Sequence, residues 1–389
     1  VKNIKITLLS TTHSCFDDRI FYKEALSLKK AGYMVSIIAS CEDFNGVING
    51  IRVIGFKERL PFLKLIKLFF MALKENSNIY SAHSFDALAI AYLIKLFRTK
   101  VRIIHVVREF YLEEALMGQK VNFLRRIVLL LLKAIDRKLN RAADFIIGVE
   151  EPKIEKYVNY GIPFQKLSVI ENYVRLDLFH FNNKKFDPNN FVLGYVGGLS
   201  YARGIKDLAM AAFQFAKKYK IKPKLLLIGK FLSPKEEKDF LTYCEEIKGT
   251  VDVEIKGWLP HHEIPKEIGK MDICFVLFSN SKRYEKVLSG KAGPIKLYEY
   301  MASGKPIIAT DFKALKCIIE KERCGLVVDR KSGIDGIVKA IEFYFKTPEN
   351  IYIHGKNGRL AVEREYNWFV SERKLLRIYT KLIRSHSYD

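Results

Sequence analysis

Short apolar runs alternate with helical stretches along almost the whole chain, in two cycles separated by a polar segment. The first cycle predicts strands at 4–9, 34–39, 51–55, 78–82, 101–107 and 144–149, with a helix near 19–31 closed by Gly32. The second opens at 191–196 and continues with a helix near 205–219, a strand at 224–228, a helix near 234–247 and strands at 252–256 and 273–277. Strands that alternate with helices imply parallel sheets covered on both faces. A chain of 389 residues is too long for one ordinary core. Two doubly wound α/β domains follow, spanning 1–180 and 191–365, with a linker in the polar, turn-rich stretch 181–190. Ligands of such domains bind outside the carboxyl ends of the strands. A last helix, about 368–384 within the tail 366–389, carries Trp368, Phe369, Leu375, Leu376 and Tyr379.

Composition narrows the partners. The net charge is +23, which calls for an anionic partner. Residues 60–73 are apolar almost all round, broken only by Lys64 and Lys67. In 121–141, Leu124, Ile127, Val128, Leu131, Ile135 and Leu139 share one helical stripe, while Arg126, Lys133 and Arg137 lie off it. These segments fit either a basic, partly apolar face at an anionic membrane surface or core helices with snorkelling cations. Nucleic acid is disfavoured, because no zinc-finger spacing or RNA-recognition motif accompanies the charge. The six cysteines (Cys15, Cys41, Cys244, Cys274, Cys317, Cys324) form no C-x-x-C pair and read as free thiols in a reducing compartment. The opening Val-Lys-Asn-Ile-Lys-Ile-Thr-Leu-Leu-Ser reads as a strand rather than a signal peptide, and no apolar run reaches the roughly 18 residues of a membrane span. The expected location is cytoplasmic, peripheral on the inner face of the cell membrane if the basic face is used.

Two segments carry chemistry. Residues 294–311 break into helix, turn and strand: Pro294 suits a helix start, Leu297, Tyr300 and Met301 recur at helical spacing, Gly304 suits the left-handed C-terminal position, and Pro306 blocks resumption. A helix whose first amides face a cleft binds phosphate, and Glu299, one turn in, is an acceptor suited to sugar hydroxyls. The second segment, Gly194 to Ile205, runs from a strand through a glycine-rich turn into a helix. Gly197 and Gly198 let backbone approach a phosphate, and Arg203 can pair with it as a fork. The spacing is not that of a dinucleotide fingerprint. Phosphate and ribose together suggest a nucleotide.

The run Pro-Ile-Lys-Leu-Tyr-Glu-Tyr-Met-Ala-Ser-Gly-Lys-Pro-Ile-Ile-Ala resembles the donor-binding signature of retaining nucleotide-sugar glycosyltransferases of family 4, which have the GT-B fold. The resemblance implies two Rossmann-like domains facing across a cleft, with the C-terminal helix crossing back onto the first. It implies that Glu299 holds the donor ribose, that the turn at Pro294, Ile295, Lys296 and Leu297 binds the diphosphate, and that Arg203 neutralises it. Two positions depart from the family habit. Lys291 stands where many members carry a sugar-contacting Glu, and Gly198 stands where a basic residue is frequent, so either another cation, Lys206 or Lys296, helps or the site holds less positive charge. Trp258 lies in the loop that the resemblance sets by the nucleobase.

In the first domain, Ser10-Thr-Thr-His13 and Asp18-Arg19-Ile resemble the opening of a family subgroup, making His13, Asp18 and Arg19 candidates for the acceptor side; Asp18 as a helix cap and Arg19 as helix surface is the competing structural reading. Two further strand ends, Ala82-His83-Ser84 and His105-Val-Val-Arg108-Glu109, resemble family strand ends, adding His83 and Glu109 to the acceptor side and His105 and Arg108, with His13, to the catalytic candidates. No Asp-x-Asp motif occurs, so no metal and no cofactor beyond the nucleotide-sugar co-substrate is expected. The function expected is retaining transfer from a nucleoside-diphosphate sugar to a glycan or lipid-linked acceptor. A nucleotide-sugar epimerase on the same fold and a basic nucleic-acid-binding protein are the alternatives.

Overall fold

The computed structural model describes residues 4–108, 123–181 and 185–386. The chain forms two compact units, Val1–Asn172 with Phe369–Asp389, and Tyr173–Trp368.

The described strands of the first unit are β1 (Lys5–Ser10), β2 (Met34–Ser40), β3 (Phe44–Ile48), β4 (Ile51–Phe56), β5 (Ile79–Ala82), β6 (Arg102–Val107), β7 (Phe145–Gly148) and β8 (Leu167–Val169). They make one sheet in the order β3-β4-β2-β1-β5-β6-β7-β8, parallel throughout except for β3 on β4. Strands buried on both faces need no alternation, which is why β1 and β2 read as nearly unbroken apolar runs. Two strands escape the sequence pattern. The β3–β4 hairpin turns at Asn49-Gly50, both with positive φ (52° and 74°), and Asn-Gly is the dipeptide such two-residue turns demand. β8 is three residues long, too short to show a period.

The helix expected near 19–31 begins as a π-helix, Asp18–Ala25, and continues as α1 (Leu26–Lys30). The other described helices of this part are α2 (Pro61–Glu75), α3 (Phe85–Phe97), α4 (Phe123–Ala142) and α5 (Glu151–Asn159). α3 packs against both α2 and α4.

The second unit has strands β9 (Val192–Val196), β10 (Lys224–Ile228), β11 (Asp252–Ile255), β12 (Ile273–Val276), β13 (Ile307–Thr310) and β14 (Gly325–Val328), all parallel, in the order β11-β10-β9-β12-β13-β14. Its helices are α6 (Ile205–Tyr219), α7 (Pro234–Ile247), α8 (Ile264–Lys270), α9 (Lys282–Val287), α10 (Ile295–Ala302), α11 (Lys313–Glu322), α12 (Gly333–Lys346) and α13 (Glu349–Arg364). The strand order reverses between β9 and β12, so the crevice of this sheet opens at their carboxyl ends. One core lies on each side of the sheet, and Leu297, Tyr298, Tyr300 and Met301 of α10 are buried in one of them.

The units divide at Asn172–Tyr173, not at the polar stretch 181–190 expected as the linker. Tyr173, Val174 and Phe179 are buried in the second unit's core, and Val174 bridges to Asn367, so packing rather than polarity sets the boundary. The last helix, α14 (Trp368–His386), belongs to the first unit from Phe369 onward. Ser371 donates to the Glu171 carbonyl at 2.9 Å, and Lys374 pairs with the Glu171 carboxylate at 2.9 Å.

One buried bond ties α10 to the crevice. The Val196 amide at the end of β9 donates to Tyr300 Oη at 2.7 Å. Deleting that oxygen strands a buried N–H, which costs about 1–3 kcal/mol. Tyr300→Phe is therefore expected to lower the urea midpoint of the second unit and speed exchange of the Val196 amide; an unchanged midpoint would show that the bond adds nothing.

Candidate functional site

The crevice of the second unit gathers the residues that the sequence singles out there. Gly197 follows β9 with φ +132°, a conformation open to glycine, and a Cβ there would stand 2.8 Å from Lys296 Nζ. The absent side chain is what lets the lysine in. A Cβ at Gly198 would stand 2.8 Å from Arg203 Nη1. The guanidinium of Arg203 thus fills the space where a basic side chain at 198 would have gone.

Pro294 is the N-cap of α10, and no side chain caps the helix. The Leu297 amide donates to the Pro294 carbonyl at 2.9 Å, and the Leu297 side chain is buried. Leu297 therefore drops out of the expected anion turn, because its amide and its side chain both face inward. The amides of Ile295 and Lys296 have no hydrogen-bond partner among the described residues. Lys296 itself is 7% exposed, its ammonium lies 3.8 Å from the centre of the Tyr195 ring, and Nζ has no hydrogen-bond partner. Burial, and then the Arg203 charge, push its pKa well below the lysine range. The ring face supplies a cation–π contact but no acceptor. Tyr195 donates to the Gly198 carbonyl at 3.0 Å, and burial raises its pKa to about 12. The arrangement is a buried lysine, a guanidinium and free amides; the Glu299 charge acts on the lysine, but no acceptor hydrogen-bonds to its Nζ.

Glu299 is 5% exposed and accepts from His261 Nε2 at 2.9 Å. His261 was not among the sequence candidates. It sits in the turn His261–Glu263 after Pro260, and nothing in its local pattern marks it. Lys206 is exposed and its ammonium lies 5.1 Å from the centre of the Tyr201 ring, so Lys296 is the cation that accompanies Arg203. Trp258 is 64% exposed, with Lys230 6.0 Å from its ring centre.

In the first unit the sequence candidates part company. Arg19 is fully buried; its Nε donates to Glu24 Oε1 at 2.6 Å and its Nη1 to the Ile170 carbonyl at 2.9 Å. It braces the π-helix against the chain before residue 172 and is neither acceptor-facing nor helix surface. His83 is fully buried 3.5 Å from Glu24, and burial drives its pKa well below the usual range. His105 is buried with Nδ1 2.6 Å from Asn140 Oδ1, and burial lowers its pKa to about 4. Both histidines are interior groups, which removes them from contact with an acceptor. Asp18 pairs with Lys23 at 2.5 Å. Glu109 lies outside the described residues.

What remains open is His13, Arg108 and a residue the sequence reading passed over, Asp17. Asp17 caps the π-helix by accepting from the Arg19 and Ile20 amides, both at 3.0 Å, and it receives a two-pronged contact from Arg108 at 2.8 and 3.2 Å. Burial alone would raise its pKa, but the Arg108 charge and hydrogen bonds outweigh burial and hold it below the usual carboxylate range. His13 Nδ1 stands 4.0 Å from Asp17, and burial followed by the Arg108 charge lowers its pKa to about 4. His13 is therefore a neutral imidazole at neutral pH. Among the described residues no group of His, Cys, Asp or Glu could hold a metal ion, and no helix is long and apolar enough to cross a membrane.

Residues 178–360 match the sequence model of glycosyl transferases group 1. The fold of the chain is that of the GT-B glycosyltransferases. Sucrose-phosphate synthase from Thermosynechococcus elongatus superposes on this chain with a TM-score of 0.74 at 18% identity, over 98% of this chain and 100% of the other. The Anabaena protein HepE, solved with UDP and glucose, gives 0.71 at 14% identity over 97% and 99%. The lipopolysaccharide outer core galactosyltransferase WaaB gives 0.61 at 16% identity over 98% and 99%. No curated protein sequence matches the chain.

The three lowered histidines fix a pH dependence for the first unit. Each has a folded pKa below its unfolded value of about 6.5, so the unfolded chain binds more protons in that window. Stability is expected to be full above about pH 6.5 and to fall as the pH drops toward about 4. Chemical denaturation across that range reads the slope, and His13→Asn is expected to flatten part of it. A first unit equally stable at pH 7 and pH 5 would contradict this account.

Proposed function

We propose that the protein is a glycosyltransferase that moves a sugar, with retention at C1, from a nucleoside-diphosphate sugar to a glycan or lipid-linked acceptor, without metal and with no cofactor beyond the co-substrate. The observation that carries the reading is the buried, unpartnered Lys296 ammonium beside Arg203 and the free amides of Ile295 and Lys296. When the C1–oxygen bond to the diphosphate breaks, negative charge develops on the leaving phosphate and positive charge on the sugar. Preorganised cations and amides aimed at that phosphate lower the barrier because they need not reorganise. The acceptor hydroxyl bonds to C1 from the same face, and its proton passes to the departing phosphate oxygen. Glu299 takes the ribose hydroxyls, and Trp258 stands by the base. Gly197, Gly198, Pro294 and Ile295 shape the diphosphate turn, and Lys206 stays at its margin. His13, Asp17 and Arg108 are the acceptor-side candidates. HepE, solved with UDP and glucose, supports the donor class, and WaaB supports a glycolipid acceptor.

The acceptor side of this reading includes an anionic membrane surface on the cytoplasmic side. The stripe of α4 that carries Ile127, Val128, Leu131 and Ile135 is exposed, while Leu129 and Leu139 are buried. Phe62 and Phe70 of α2 and Leu96 and Phe97 of α3 are exposed as well. Beside them α4 presents a groove of about 460 Å³ lined by Lys133, Ala134, Arg137, Lys138, Arg141 and Tyr160. Apolar side chains flanked by cations suit the headgroup level of an anionic bilayer.

Three measurements test the proposal. A nucleoside diphosphate is expected to raise the melting temperature without added metal, and Arg203→Ala and Glu299→Ala to weaken its binding about tenfold or more. Lys296→Met is expected to weaken binding likewise while leaving the unliganded protein as stable as before, since it removes a buried charge with no partner. Unchanged binding in all three variants would remove this donor site. Product analysis with donor alone separates transfer from epimerisation, which needs no acceptor. For the membrane, the protein is expected to pellet with phosphatidylglycerol vesicles at low salt and to be released at high salt; absence from the pellet would contradict the membrane surface.

A further inference from the structure

We infer that His261 is the positioning residue of the ribose carboxylate, so that preference for a ribose diol depends on an imidazole in the loop after β11. The inference rests on the donor-site reading above. Glu299 lies about one turn into the eight-residue α10, and a carboxylate on a short helix can swing about three side-chain torsions. Burial alone does not choose among its rotamers. His261 does. The carboxylate can only accept, so the 2.9 Å contact requires the proton on His261 Nε2. That bond holds Oε1 and leaves Oε2 with no partner among the described residues. A carboxylate anchored by one oxygen and open at the other is set to receive a hydroxyl without first giving up a competing orientation.

The imidazole is itself held from two sides. The fully buried Phe179 packs against its ring, with centroids 5.8 Å apart, and the Glu299 oxygen meets its Nε2 edge. Its backbone is fixed as well. His261 opens a 3-10 turn after Pro260, and further back the Gly257 carbonyl accepts from the Gly229 amide at 2.7 Å. The loop from Gly257 to His261 is thus tied at one end to the turn after β10 and at the other to Glu299, with the exposed Trp258 between the two ties. A single short loop therefore links the group that meets the base to the group that meets the ribose.

The test uses the full chain and compares two ligands. The probe is whichever of ADP, GDP or UDP stabilises the wild-type protein most, together with its 2′,3′-dideoxy analogue, both titrated calorimetrically. Wild type is expected to prefer the ribose form about tenfold, near the value of one charge-assisted hydrogen bond. His261→Ala is expected to reduce that preference to within about twofold while binding the dideoxy ligand as wild type does. His261→Gln, whose amide can still donate to Glu299, is expected to restore most of the preference. A merely structural role for His261 would weaken both ligands together and would not be rescued in this way. Retention of the full preference in His261→Ala, or equal loss for both ligands, overturns the inference alone. A wild-type protein that binds none of the three diphosphates overturns the donor-site reading with it.

Discussion

A lysine buried without a hydrogen-bonding acceptor governs the second unit. Lys296 Nζ sits against the Tyr195 ring, beside Arg203 and under a glycine turn, with no acceptor within reach. An unpaired buried ammonium is unfavourable unless something compensates it, either loss of its proton or arrival of a negative ligand. Around it the chain is built to keep the space open. Gly197 and Gly198 withhold side chains on one side, and Pro294 starts a helix without a side-chain cap on the other. Tyr300, bonded to the Val196 amide, holds the helix to the strand end that carries the glycines. The crevice between β9 and β12 therefore holds an ammonium that no hydrogen-bonding acceptor satisfies, and the proposed diphosphate would supply one.

The first unit resolves its charge differently. Its ionisable groups are paired inside the protein: Arg19 with Glu24, Lys23 with Asp18, Arg108 with Asp17. The pairs brace a π-helix, a form that persists only where surrounding contacts support it. Asp17 serves the cap and the Arg108 fork at once, so the loop after β1 and the end of β6 are fixed relative to each other. The loop there is preorganised, with a neutral imidazole at His13.

Much of this was legible in the sequence, and the reasons differ from element to element. The strands and helices of the second unit were readable because parallel strands covered on both faces are short apolar runs with turns between them, and α6 and β10 fall where the pattern predicts. The glycine turn after β9 and the start of α10 were readable because Gly197, Gly198 and Pro294 mark a turn and a helix start in the sequence itself. The hairpin of β3 and β4 carried its own signal in Asn49-Gly50, which the parallel pattern obscured. Site residues held by long-range contacts were not readable. His261 meets Glu299 across 38 positions, and Arg108 meets Asp17 across 91. Burial of Arg19 and His83 was likewise invisible, because a charged residue in a loop motif looks the same whether it faces solvent or another buried charge. The unit boundary was misjudged for a related reason, since a polar stretch marks a loop and only packing marks a domain.

The most direct test of the account is the proton balance of nucleoside-diphosphate binding. Calorimetry in buffers of different ionisation enthalpy, repeated from pH 7 to 9.5, counts the protons that accompany the ligand. If Lys296 is held below its ordinary pKa until a diphosphate arrives, binding takes up protons in part of this range, and Lys296→Met abolishes the uptake. Binding with no proton uptake at any of these pH values, or with uptake identical in wild type and Lys296→Met, would contradict it.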